Sequence, residues 1–304
     1  MPLSISVRQI AVPETLELEN RSVFLREGQL IIAEGEAARL ETFGKDRIQQ
    51  LSKAWQELVT ESEIKNEVGL PGAGMIGLTS ITFSEDSKAP TVLHVPKRTL
   101  VIRGEIAFEV VAEGAESQLV ETKKPSGVFL QGDLSATRFK ELVSEAVRAI
   151  SDSELEKVVL SRDLVMPISQ RPDLSDAITK LFARYPHCWT YAIGDVFGAS
   201  PELLLRAESG EVSARVLAGT AGRGTDPDVD RAIAEGLAHS HKNRHEHQYA
   251  ANSMVEKLQN FCEEVEADKE PFSLALPDLW HLATDVRGKL KKGVTLLDVI
   301  AELH

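Results

Sequence analysis

Apolar residues first recur at helical spacing between Asp46 and Glu63, where Ile48, Leu51, Trp55, Leu58 and Val59 predict an amphipathic helix. The stretches after it are shorter. Gly72-Ala-Gly-Met-Ile-Gly-Leu, Thr91-Val-Leu-His-Val-Pro and Thr99-Leu-Val-Ile-Arg predict strands with turn residues between them. Gly114 to Pro125 is largely polar and reads as a surface connection. From Ser135 a clear helical stripe returns, with Phe139, Leu142, Val143, Ala146, Val147 and Ile150 on one face. The turn Ser151-Asp-Ser leads to Lys157-Val-Val-Leu-Ser-Arg162, whose β-branched centre predicts a strand. A helix over 174–184 stops before Pro186, and strands follow at Trp189–Ile193, Leu203–Arg206 and Val212–Leu217. Glu208-Ser-Gly-Glu joins the last two with a tight-hairpin composition. Asp226 and Pro227 cap the next helical region, which is expected to reach Glu264 with a break near His239. A strand at Leu279–Thr284 and a helix over Leu296–Leu303 complete the reading. Strands and helices mixed without strict alternation predict an α+β fold rather than a doubly wound sheet.

Composition narrows the function. The chain has 304 residues, 42% of them hydrophobic, enough for a sizeable core. Its net charge of −13 argues against binding through a basic, phosphate-neutralising surface, so no nucleic-acid partner is expected. No apolar run is long enough to span a bilayer and no basic-then-apolar leader is seen, so a cytoplasmic protein is expected. Cys188 and Cys262 are too few for a disulfide framework and read as reduced core residues.

Four segments set a polar residue against a strand end, a glycine or a helix face. They are Lys157-Val-Val-Leu-Ser-Arg162, Ser200-Pro-Glu202-Leu-Leu, Leu217-Ala-Gly-Thr220 and Lys242-Asn-Arg-His-Glu246-His; Leu279-Trp-His281-Leu-Ala-Thr284 is a weaker fifth. Each has a plain reading. Lys157 is an edge charge on that view and Glu202 a turn residue. Gly219 answers a need for permissive backbone, and Glu246 forms a helix-surface pair with Lys242. His241 and His245, four apart, could share a zinc ion, but the His-Glu-x-x-His order is absent.

Taken together, in this order and spacing, the segments resemble the chorismate-binding enzymes, most specifically from about Ser135 onward. Gly74-Met-Ile-Gly and His94-Val-Pro extend the likeness more loosely. The resemblance implies one domain over 1–304 with an anthranilate synthase component I-like fold, two packed β-sheets with helices outside. Residues 1–134 would be its N-terminal half and 135–304 its motif-bearing half. The family continues beyond this chain's last residues, so the domain is expected to lack a C-terminal segment and to be inactive alone.

Among these enzymes the attacking nucleophile differs. Aminodeoxychorismate synthases often carry a nucleophilic lysine where Ala218 stands, and anthranilate synthases carry glutamine at the position of Lys157. A lysine base suits water. The resemblance therefore implies an isochorismate synthase that needs no glutamine amidotransferase subunit, with salicylate synthase as the alternative. An inactive truncated homologue acting through a partner is the non-enzymatic reading. On the matching positions Lys157 would be the general base and Glu202 the general acid. Ala218, Gly219, Thr220 and His281 would shape the chorismate pocket, and Glu246 would bind Mg²⁺. Isochorismate feeds menaquinone or siderophore synthesis, a choice the residues leave open.

Overall fold

The computed structural model describes residues 2–70, 72–114, 122–155 and 158–303. They divide into two compact units, one combining Met1–Leu119 with Ser175–His304 and the other Val120–Leu174.

In the first unit, alternating residues build an eight-stranded sheet. Ser22–Arg26 alternates as a strand should, with Val23 and Leu25 buried on one face and Ser22, Phe24 and Arg26 half-buried on the other. It pairs with Gln29–Glu34, then Arg98–Arg103, Ile106–Ala112, Ser4–Ile10 and finally Glu63–Asn66. On the other side Trp189–Ile193 and Val196–Ser200 extend the sheet, with Thr190 opposite Leu25. The N-terminal sheet thus receives two strands from the second half of the sequence. A three-stranded sheet of Ala38–Thr42, Thr91–Val95 and Leu78–Ser80 lies apart from it, and helix Arg47–Glu61 packs there with Leu51 and Leu58 buried.

The second large sheet runs in the order Leu203–Glu208, Glu211–Gly222, Leu279–Leu290, Cys262–Ala267, with Phe272–Ala275 also on Leu279–Leu290. Ser209 and Gly210, both at positive φ (54° and 85°), turn the first hairpin as a two-residue loop of the primed kind. Helices Pro227–His239 and His241–Gln259 cover this sheet. Leu258 joins Val212, Ala214, Val216, Cys262, Val286 and Val299 in its core. The two large sheets face a common cavity of about 220 Å³, lined by Arg26 and Trp189 on one side and by Arg215 and Val286 on the other. This is the expected α+β fold with two large sheets; both cysteines are buried and free.

Four expectations change. Both strands at the heart of the second sheet are longer than predicted, Glu211–Gly222 running through Ala218-Gly-Thr and Leu279–Leu290 continuing past Thr284. The helix ends at Gln259, because Cys262–Ala267 finds a ladder partner in the Leu279–Leu290 strand. In 72–78 only Leu78 belongs to a strand; Gly72 at φ 73° cannot continue a ladder, and Gly77 lies so close to Leu93 that a Cβ would come within 2.8 Å of its side chain. The apolar run after Lys157 is no strand over 158–162, since among the described residues no strand pairs with it; Val159 is 83% exposed.

The second unit contains that run. Ser135 caps its helix, Ala136–Ser151, by accepting from the Arg138 backbone N–H at 3.1 Å. None of the helix is buried, although Val143, Val147 and Ile150 lie on its apolar stripe. Leu130–Gln131 pairs with Leu164–Val165 in a two-stranded ladder.

Candidate active site

The site is built at a break in a β-ladder. Along the Glu211–Gly222 strand, Ala218 opposes Leu282 and Thr220 opposes His281, so Gly219 is the extra residue of a bulge. Its φ of 81° explains the glycine, and a Cβ there would lie 3.2 Å from Cβ of Asn243. The bulge turns Thr220 toward His281, whose Nδ1 lies 3.0 Å from the Thr220 hydroxyl and 3.4 Å from the Gly219 carbonyl. A carbonyl only accepts, which favours a proton on Nδ1.

Glu202 follows the sharp Ser200-Pro201 corner between Val196–Ser200 and Leu203–Glu208, where its own backbone N–H donates to the Ser200 hydroxyl at 3.3 Å. Its side chain reaches solvent, yet the surrounding protein displaces enough water to raise its carboxyl above the usual range. The Leu217 backbone N–H and the nearby His281 oppose that shift and do not cancel it. Glu202, the Ala218-Gly219-Thr220 bulge and His281 therefore meet on one sheet.

Helix His241–Gln259 crosses this bulge. Ser240 caps it, accepting from the Asn243 backbone N–H at 3.3 Å. Glu246 is half-buried and, among the described residues, no ion pair joins it to exposed Lys242. His241 and His245 line an open concavity with Arg244 and Gln248 on another face of the helix, joined there by His239 from the end of the preceding helix. The buried member of the group is His247, missed as a site residue by sequence reasoning. Its Nδ1 lies 3.2 Å from the Ala218 carbonyl and its Nε2 2.7 Å from the Thr284 hydroxyl. Both residues stood inside the quoted motifs, His247 ending Lys242-Asn-Arg-His-Glu246-His and Thr284 ending Leu279-Trp-His281-Leu-Ala-Thr284. Lys157, the expected base, lies outside the described residues.

A second network, beside the first, holds the end of the bulged strand. Asp230 accepts from Arg223 Nε at 2.9 Å, the Gly224 backbone N–H at 2.9 Å and Trp280 Nε1 at 2.9 Å. The Arg223 guanidinium lies over the Trp280 ring at 4.5 Å. Hydrogen bonds from Arg223 hold the Asp230 carboxyl far below its usual value. Helix Pro227–His239 is thereby fastened to the residues flanking Thr220 and His281.

Magnesium takes about six oxygen donors in a near-octahedral array. Glu246 is one carboxylate, and among the described residues no three His, Cys, Asp or Glu side chains converge as metal ligands. The described residues do not by themselves make up a Mg²⁺ or zinc site.

Fold and bulge define the class: an α+β protein whose polar groups gather on one face of a sheet, beneath a capped helix. The sequence profile described as chorismate binding enzyme matches residues 106–304, about two thirds of the chain, and this chain belongs to that family. It is 33% identical over 241 residues to the isochorismate synthase EntC of Escherichia coli (strain K12), covering 78% of this chain and 59% of that protein. It is 32% identical over 179 residues to the isochorismate synthase DhbC of Bacillus subtilis (strain 168), covering 55% of this chain and 45% of that one. The chain spans about half the length of these curated relatives. The structure of MenF, the menaquinone-specific isochorismate synthase of Escherichia coli, matches with a TM-score of 0.70 at 18% identity, over 98% of this chain and 73% of that one. At that identity the likeness speaks for the fold alone.

Proposed function

We propose that the chain is part of an isochorismate synthase, which converts chorismate to isochorismate with water as nucleophile. The observation that carries this reading is Glu202. Its carboxyl is raised by burial, so it keeps its proton at higher pH than an ordinary glutamate, as a general acid requires. It stands beside the bulge and His281, and both curated relatives are named for this reaction.

On this reading Lys157 takes a proton from water as the water oxygen bonds to C2. Both conjugated ring double bonds shift, from C1–C2 to C1–C6 and from C5–C6 to C4–C5, the C4–O bond breaks, and the departing hydroxyl takes the proton of Glu202 to leave as water. One water enters and one leaves, and solvent returns the two side chains to their starting protonation states. On the same reading Thr220 and His281, which meet at the bulge, would contact the ring. The family resemblance implies Mg²⁺, toward which Glu246 would offer one carboxylate.

The test is to incubate the full-length protein with chorismate and Mg²⁺, with and without ammonia, and to separate the products. Isochorismate formed equally in both is expected, and chelation of the ion should stop it. Anthranilate appearing only with ammonia would overturn the water mechanism. Pyruvate in equal amount with salicylate would make the activity that of a salicylate synthase. No consumption of chorismate would leave the non-enzymatic homologue as the reading.

A further inference from the structure

His247 is 1% exposed, on a helix whose first turns are almost wholly polar. The Ala218 carbonyl can only accept, so the proton sits on His247 Nδ1; Nε2 then accepts from the Thr284 hydroxyl. One imidazole thus ties the helix to both central strands, at the point where the Gly219 bulge interrupts their ladder. One helical turn earlier, Asn243 lies against Gly219 itself, so the helix grips the bulge at two places. Burial lowers the His247 pKa, in keeping with a neutral ring.

We propose that His247 is a positioning residue: through Ala218 it fixes Gly219 and Thr220, and it sets the neighbouring Glu246 in register with them. The kinetic consequence rests on the chorismate reading above; the geometric consequence does not.

Asparagine and glutamine divide the imidazole between them. The Asn amide nitrogen sits near the place of Nδ1 and can keep the bond to Ala218. The Gln amide reaches the place of Nε2, keeping Thr284 and abandoning Ala218. The measurement is made on both variants with the full chain. Gly219 and Thr220 amide resonances should stay close to the parent in His247→Asn and move in His247→Gln. With chorismate, kcat/KM should fall on the order of 10²-fold in His247→Gln, as small misplacement of binding groups can cause, while His247→Asn retains most of it at a matched thermal midpoint. A structural role alone would make turnover follow stability in both variants, and that result overturns the proposal, as do resonances unmoved in both. Should neither variant fold, the ring nitrogens of the parent decide: a proton on Nε2 instead of Nδ1 means the Ala218 bond does not exist. If the parent fails to consume chorismate, the functional reading falls, and the resonances still test the positioning.

Discussion

Glu202 holds two opposed demands in one side chain. Its carboxyl is raised above the unfolded value of 4.5, so folding disfavours its ionised form. Below the unfolded value this penalty is absent; it grows as pH rises through the folded pKa and is complete above it. Glu202→Gln should therefore be more stable than the parent at pH 8 and no more stable at pH 4, by denaturant melts at the two values. Its turnover of chorismate should fall about 10²- to 10⁴-fold, the usual loss for a general acid. Stability unchanged at both pH values would return Glu202 to the turn residue its Ser-Pro context first suggests. Glu202, Gly219 and His281 were legible because each sits in a run whose residue types make sense only together. His247 was not, because four histidines within nine positions first suggest a metal site, and only the helix's orientation separates the buried one from the three around an open concavity.

At the scale of elements, the bulge is where local backbone and tertiary packing set the same requirement. Gly219 needs a left-handed conformation that costs another residue ~1–2 kcal/mol, and its missing Cβ leaves room for Asn243. Gly219→Ala should lower stability by about that amount or more, measured by thermal unfolding, and should weaken chorismate binding beyond what the stability loss explains. A variant as stable as the parent would mean that the helix withdraws freely from the strand. Hairpins and capped helices were readable for the same local reasons: Ser209-Gly210 supplies positive φ, Asp226-Pro227 and Ser135 supply caps. The run after Lys157 misleads because β-branched residues report only a preference, whereas a strand exists where another strand pairs with it. The same rule acts in reverse at Cys262–Ala267, where a ladder on Leu279–Leu290 overrides a helical expectation.

Across the whole molecule, sheet order is the least legible property. Thr190 lies opposite Leu25, and no local pattern announces a partner so far along the chain. The longest strands of the second sheet have another consequence, for motion. Glu211–Gly222 begins among the core residues Val212, Ala214 and Val216 and ends at the bulge, without a loop between. Leu279–Leu290 runs back the same way, from His281 to Val286. Local opening usually begins where few buried contacts hold the backbone. Here the site's backbone is the far end of the core's own ladder, so it cannot melt by itself. Native-state hydrogen exchange should then show the amides of Leu217 to Thr220 opening together with those near Val286, at one common free energy. Exchange from a separate, cheaper opening would break that link. On the proposed activity, ligand entry would fall to side chains and to the Ser200-Pro201 corner, while the sheet beneath keeps its shape.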